Sequence, residues 1–363
     1  MLKPSLRLVF WESTAACNLR CLHCRRLEVR DTFTQADMDT AAARRMIVDI
    51  VAVGRPILVF SGGEPLLRGD IYDLAAFARE QGLPTAVASN GTLLDEEAAV
   101  RLRGAGVGRV SFSLDGASAP AHDRLRGPGN FEKTIRNVSF LKAEGLGFQI
   151  NTTVTRRNAQ ELPALHDLAV RLGAKALHLF MLVPVGCGAQ IADGEMLSSE
   201  ETETWLSWLH DRASERRLEL KATCAPQYTR ISRQKSKRPG SPPGSPEPPV
   251  SRGCLAGVGV CFVSHRGDVF PCGYLPLRAG NVRTQPFREI WESSPVFQKL
   301  RDPEFLEGKC GACSFKVLCG GCRARAYYQH GSELGEEPTC AHVPPARAPR
   351  TNGPVPRRRS SSK

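Results

Sequence analysis

The sequence offers no obvious passage through a membrane. Its early apolar stretch, L-R-L-V-F-W-E, is too short and too charged to span one. No charged–apolar–small-residue leader precedes the first cysteines. A fixed repeat is also missing, which excludes a solenoid. Acidic residues are in deficit, 37 against 49 basic ones, for a formal charge of +12. Half of that excess lies in A-R-A-P-R-T-N-G-P-V-P-R-R-R-S-S-S-K, which has six basic and no acidic residues. That segment lacks the apolar side chains needed for a core and is expected to be disordered. Metal-bound thiolates would lower the remaining charge, since the formal count omits them. A general attraction to polyanions stays open, but the charge does not call for a specific nucleic-acid partner.

Cysteine, by contrast, is plentiful. Thirteen thiols in 363 residues fall in clusters, and without a leader they point to a reducing, cytoplasmic setting with metal ligands rather than disulfides. The length accommodates one large domain and a smaller one. The first cluster is C-N-L-R-C-L-H-C, with Cys17, Cys21 and Cys24. Three thiols at this spacing fit a four-iron cluster with one iron free to bind a small molecule. A zinc ion completed by His23 or a distant residue is the alternative.

Apolar periodicity predicts a succession of strands and helices. Strands are expected in L-R-L-V-F-W-E-S and over 57–60, 84–89, 109–114, 148–154 and 176–182, with helices over 34–53, from Asp70, and around E-T-E-T-W-L-S-W-L-H. Six strand–helix units imply a parallel sheet with right-handed crossovers, too few for a closed eight-stranded barrel. The fold class expected is therefore α/β, an open partial (βα)6 barrel. Polar residues gather at the carboxyl ends of these strands, where such sheets place function. They are the three cysteines, then Ser61, Gly62, Gly63, Glu64 and Pro65, then Asn90 and Gly91, then Ser113, Asp115 and Gly116, with Asn151 and Thr153 on the fifth strand. Standing alone, S-G-G-E-P would be only a turn; here its glycines would let backbone approach a ligand.

With C-N-L-R-C-L-H-C, G-G-E-P, S-N-G-T and S-L-D-G, residues 6–222 resemble the radical S-adenosylmethionine superfamily. The resemblance implies that Cys17, Cys21 and Cys24 hold an open [4Fe–4S] cluster that binds S-adenosylmethionine. It also implies cofactor contacts from Gly62, Gly63, Glu64, Pro65, Asn90, Ser113 and Arg126. His23 stands where many members carry an aromatic residue.

Further on, P-G-S-P-P-G-S-P-E-P-P marks an irregular bridge, after which cysteines resume. The expected organisation is a core over 1–231, a proline-rich basic linker or insertion over 232–252, a cysteine-rich domain over 253–343 and a basic tail over 344–363. C-G-A-C and C-G-G-C would also suit a zinc ribbon. The pattern G-C-L-A-G, G-D-V-F-P-C-G and C-x2-C-x5-C resembles the SPASM auxiliary-cluster extension. That resemblance implies two auxiliary [4Fe–4S] clusters, one on Cys254, Cys261, Cys272 and Cys322, the other on Cys310, Cys313, Cys319 and Cys340. Only two residues separate Cys319 from Cys322, where the common pattern has three. Cys187 and Cys224 fall outside both sets.

The stretches F-Q-I-N-T-T-V-T-R, L-G-A-K-A-L-H-L-F-M-L-V-P-V-G, K-A-T-C-A-P-Q-Y-T-R-I and C-F-V-S-H-R-G-D-V-F-P-C-G-Y-L-P resemble the heme synthase family of the siroheme-dependent heme pathway. This implies oxidative decarboxylation of two propionates of iron-coproporphyrin III to vinyl groups, giving heme b, with a small electron-transfer protein as reductant. Enzymes that modify other tetrapyrroles, in the heme d1 pathway or as didecarboxysiroheme decarboxylases, are the alternative within this class. SPASM peptide maturases and a non-enzymatic metal scaffold are the others; Gly273 after Cys272 departs from the sulfatase-maturase pattern. No catalytic side chain is singled out. His178, near the end of a strand, is either a core histidine or a ligand to tetrapyrrole iron.

Overall fold

A computed structural model describes residues 2–26, 36–236 and 252–345. Most of the proline-rich linker and the basic tail lie outside the described residues. The six expected strands all form: β1 (Leu8–Glu12), β2 (Ile57–Ser61), β3 (Thr85–Ser89), β4 (Arg109–Ser113), β5 (Phe148–Val154) and β6 (Ala176–Met181). They pair in sequence order, every pair parallel.

Four more strands extend the sheet. β7 (Glu219–Thr223) joins β6 in parallel, and β8 (Val260–Val263) joins β1 in parallel. β9 (Asp268–Phe270) and β10 (Gly280–Asn281) continue beyond β8 as antiparallel partners. The order is thus β10-β9-β8-β1-β2-β3-β4-β5-β6-β7, an open sheet rather than a closed ring. The cysteine-rich region therefore shares its sheet with the N-terminal region. E-L-K-A-T and V-C-F-V were not expected as strands because neither is long enough to show a clear period.

Among the described residues, nine α-helices precede the proline-rich segment: α1 (Thr40–Val51), α2 (Ile71–Glu80), α3 (Glu96–Gly104), α4 (Ala119–Arg126), α5 (Asn130–Ala143), α6 (Leu162–Leu172), α7 (Gly188–Glu195), α8 (Ser199–Ala213) and α9 (Gln227–Ser236). α1 begins later than the apolar spacing suggested, because Asp39 caps it by accepting from the Ala42 amide at 2.7 Å. α8 starts with a reciprocal Ser198–Glu201 capping box. α9 runs to Ser236, so the first five residues expected in the linker are helical.

Alternation along the strands sorts the two faces of the sheet. Val9, Trp11, Leu58, Phe60, Val110, Phe112, Ile150, Leu177 and Leu179 pack into one core with Ile47, Leu74, Leu102, Leu141 and Leu165 from the helices. Each such aliphatic side chain contributes about 1.5–3 kcal/mol by leaving water. Gln149, Asn151 and Thr153 on β5, and His178 and Phe180 on β6, occupy the intervening half-buried positions. They line the opposite face, and the strand ends above them carry the cysteine loop. Among the described residues no helix is long and apolar enough to cross a membrane.

Candidate metal and cofactor site

The cysteine loop leaves β1 and is fastened to its neighbours by backbone. Gly63 N donates to Thr14 O at 2.9 Å and Glu64 N to Ala16 O at 2.7 Å. A Cβ on Gly63 would overlap the Ala16 carbonyl. The glycine of S-G-G-E-P therefore lets two loops dock, in addition to any ligand it faces. Amides spent on this docking leave the Gly62 and Gly63 carbonyls without a hydrogen-bond partner among the described residues.

Glu64 is fully buried and points inward. One oxygen accepts from Asn90 N at 2.7 Å, the other from Leu66 N at 3.2 Å, where it caps the short turn opened by Pro65. Burial pushes its carboxyl up to about 7 despite these bonds. Asn90 in turn donates to Asn18 Oδ1 at 2.8 Å and stands 4.0 Å from Cys17 Sγ. Glu64 and Asn90 thus hold β2, β3 and the cysteine loop together. Ser113, at the end of β4, makes no side-chain hydrogen bond to a described residue and is half-buried.

Cys17, Cys21 and Cys24 stand near enough to repel one another electrostatically. Burial pushes the Cys21 thiol up to about 11, opposed by Arg126, whose Nη1 lies 3.7 Å from its sulfur. The Leu19 amide lies 3.5 Å from Cys17 Sγ. Such donors stabilise thiolate, the form that binds metal. His23 is not turned toward a shared ion: its Nε2 sits 3.2 Å from Arg126 and 3.3 Å from Asp115. Burial holds it neutral, at about 4. Among the described residues no three His, Cys, Asp or Glu side chains converge closely enough to hold one metal ion. A four-iron cluster spreads its ligands over separate irons, and these three thiols with their donors fit it better than zinc.

Near the C-terminus, Cys310, Cys313, Cys319 and Cys340 line one recess with Arg230, Lys309 and Lys316. Its empty space, counted out to solvent, is about 380 Å3. The Glu337 amide donates toward Cys310 Sγ at 3.3 Å and the Phe315 amide toward Cys313 Sγ at 3.4 Å. Four thiols, cationic side chains and inward amides are the donor set of a closed cluster. Cys322 does not share this recess. Gly320 and Gly321 both have positive φ, +74° and +60°, and turn the chain so that Cys319 and Cys322 serve different places. Cys322 instead neighbours Cys254 and Cys272.

Cys261 corrects what the SPASM resemblance implied. It lies in β8 opposite Val9, inside the helix-packed core, and is wholly buried. Among the described residues the only charged group acting on its thiol is Arg301. Strand alternation is the reason: its neighbour Phe262 faces the cysteine loop, with Arg25 4.3 Å above its ring, so Cys261 must face away.

His178 faces the inner side of the sheet. Gln149 Nε2 lies 3.1 Å from its Nδ1 and 3.0 Å from Asn151 Oδ1. Accepting from that amide at Nδ1 leaves the proton on Nε2, a buried nitrogen without a partner among the described residues. As placed, Nε2 is a donor suited to a carboxylate, not a ligand for iron.

Two groups escaped detection in the sequence. Glu12, closing β1, accepts from Arg25, Arg26 and His265, the last at 2.7 Å. Burial alone would raise its carboxyl, but Arg25, His265 and Arg26 hold it down to about 2. The second is the buried pair of Arg325 and Glu337. A charged residue ending a buried strand, and an arginine three positions beyond a cysteine, were the available signals.

An open parallel sheet with three thiols at the mouth and a cysteine-rich extension is the architecture of radical SAM enzymes with an auxiliary iron–sulfur domain. A model of the Radical SAM superfamily matches residues 11–169, and one of SPASM, an iron–sulfur cluster-binding domain, matches residues 254–314. An AdoMet-dependent heme synthase of Methanosarcina barkeri (strain Fusaro / DSM 804) is 48% identical over 93% of this chain and 97% of its own length. One from Nitratidesulfovibrio vulgaris (strain ATCC 29579 / DSM 644 / CCUG 34227 / NCIMB 8303 / VKM B-1760 / Hildenborough) is 44% identical over 94% of each chain. Streptococcus suis SuiB bound to its precursor peptide SuiA shares the fold, with a TM-score of 0.74, 17% identity, and coverage of 94% of this chain and 77% of SuiB. The chain belongs to the family of AdoMet-dependent heme synthases within the radical SAM superfamily. It is an enzyme that uses S-adenosylmethionine, a [4Fe–4S] cluster and an iron–sulfur extension.

Proposed function

We propose that this enzyme converts iron-coproporphyrin III to heme b by oxidatively decarboxylating two propionates to vinyl groups. The observation that carries this reading is near-full-length likeness to two AdoMet-dependent heme synthases, at 48% and 44% identity, together with three clustered thiols where the cofactor must sit. With S-adenosylmethionine bound, the open cluster supplies a deoxyadenosyl radical able to take hydrogen from an unactivated carbon. For each propionate the balance is one S-adenosylmethionine consumed, with methionine, 5′-deoxyadenosine, carbon dioxide and one vinyl group formed.

Cys17, Cys21 and Cys24 hold the open cluster. The Gly62 and Gly63 carbonyls, left free by the loop docking, take the methionine amine, with Ser113 as a further cofactor contact. Glu64, Pro65, Asn90 and Arg126 position these groups, since their side-chain polar atoms are engaged within the protein or, for Pro65, absent. His178 Nε2 on the inner face offers a hydrogen bond to a substrate carboxylate. All thirteen cysteines are unpaired, which suits a reducing, cytoplasmic setting and a small electron-transfer protein as reductant.

The test is anaerobic incubation of the iron-loaded chain with S-adenosylmethionine, a reductant and iron-coproporphyrin III, followed by chromatography of the products. Heme b and two equivalents of 5′-deoxyadenosine per heme are expected. Deoxyadenosine without any change in the tetrapyrrole would overturn the substrate.

A further inference from the structure

We propose that Asn151, His178 and Lys221 form a seat for a carboxylate that the reaction leaves in place, one of the propionates still present in the product. This deepens the proposed function and rests on its tetrapyrrole substrate.

Strand register brings the three together. Ser113 pairs with Asn151, Asn151 with His178 and His178 with Lys221, so one lateral row crosses β4, β5, β6 and β7. Leu220 and Ala222 pack against the helix-side core, which turns Lys221 to the inner face with the other three. Gln149 sets the polarity of the row. Its Nε2 donates to Asn151 Oδ1 at 3.0 Å and to His178 Nδ1 at 3.1 Å. Both acceptors are thereby engaged. Each residue keeps a donor, Asn151 Nδ2 and His178 Nε2, without a partner among the described residues.

Lys221 adds the charge. It is exposed on β7, the last strand of the sheet. Among the described residues no acidic side chain pairs with it, since Glu219 goes to Arg109 and Asp115 to Arg126. Burial, Lys221 and Arg109 keep His178 neutral, at about 3, so it brings a single N–H to the row. Two neutral N–H donors and one unpaired ammonium, with no acid among them, select a carboxylate. Phe180, two residues beyond His178 on the same face and half-buried, offers apolar surface to the ring that carries it.

Position and chemistry both assign the seat to a carboxylate that survives. Ser113 is the cofactor end of the row, and His178 and Lys221 stand two and three strand spacings away, about 10 Å and about 14 Å across the sheet. A carbon that gives its hydrogen to the deoxyadenosyl radical must come within about 3.5 Å of it, so the reacting side chain lies at the Ser113 end. Loss of carbon dioxide also removes the carboxylate's charge, and an ammonium bound there would stabilise the very state to be left. Iron-coproporphyrin III has four propionates and heme b keeps two, so a carboxylate for this seat is present before and after reaction.

The test measures binding rather than turnover. The iron-loaded full-length chain, without S-adenosylmethionine, would be titrated anaerobically with iron-coproporphyrin III, heme b and heme b dimethyl ester, following the tetrapyrrole's visible absorption. The parent chain should bind heme b about tenfold more tightly than the ester. Lys221→Met and His178→Leu should each weaken both acids by a similar factor and bind the ester as the parent does; Lys221→Arg, which keeps the charge, should retain most of the affinity. Lys221 is exposed, so Lys221→Met decides the matter if His178→Leu fails to fold. Unchanged affinity for both acids in Lys221→Met would overturn the seat, as would equal binding of heme b and its ester by the parent. Weaker binding of iron-coproporphyrin III with heme b unaffected would put a reacting propionate there and overturn the assignment. A parent chain that bound neither acid would overturn the tetrapyrrole substrate itself, and the seat with it.

Discussion

Arg325 and Glu337 face each other in a fully buried, two-point ion pair, Nε to Oε1 at 2.9 Å and Nη2 to Oε2 at 3.1 Å. Arg325 reaches Cys224 O, while the Glu337 amide donates toward Cys310 Sγ. The pair therefore stands between the two groups of C-terminal cysteines and braces both. Removing one partner would strand the other charge away from water, at a cost of about 3–5 kcal/mol. Arg325→Ala should lower the urea midpoint of the iron-loaded chain and its iron content together. An unchanged midpoint and iron content would show that the pair braces nothing.

Gly63→Ala tests the docking of the two loops. The added methyl would collide with backbone rather than with a flexible side chain, so about 1–3 kcal/mol of overpacking strain is expected. The variant should melt at lower temperature and release the open cluster's iron first. Gly54→Ala, with nothing within 4 Å of the added carbon, is the control and should melt near the parent chain.

Changing Cys17, Cys21 and Cys24 together to Ala should abolish S-adenosylmethionine cleavage while leaving iron in the extension. Chromatography for 5′-deoxyadenosine, alongside iron analysis, separates the two effects. Cleavage at the parent rate would mean that the cofactor binds elsewhere.

His178 gives a pH dependence of definite sign. Burial, with Lys221 and Arg109 nearby, lowers it from 6.5 to about 3 in the folded chain. Between those values the unfolded chain binds the extra proton, so stability falls as pH drops below 6.5. The slope from this one group is at most about 1.4 kcal/mol per pH unit. His178→Gln should flatten unfolding free energy between pH 7 and pH 5 relative to the parent, read from urea curves at each pH. Parallel pH profiles would show that His178 takes a proton in the folded state.

Much of the architecture was legible beforehand because its causes are local. Runs such as I-L-V-F and F-Q-I-N-T-T-V fix strand positions through alternation and burial, and the six strands that form fall where they were expected. The close thiols of Cys17, Cys21 and Cys24 were legible from spacing because short spans constrain where sulfurs can go; the set Cys310, Cys313, Cys319 and Cys340 came only from the SPASM resemblance, and the fold lines one recess with all four. Glu64 was visible as a residue of the site but not as an inward brace, since side-chain direction depends on what lies across the turn.

The sequence by itself thus determined the strand–helix succession and the open trio of thiols. Only the tertiary structure decided how the remaining cysteines group. Cys261 lies seven residues after Cys254, yet strand pairing with β1 turns it into the core. Cys224 lies thirty residues before Cys254, yet the end of β7 and the reach of Arg325 bring it beside Cys322. Spacing measures distance along the chain. Which sulfurs meet depends on the face each strand presents and on contacts between segments that sequence separation does not order.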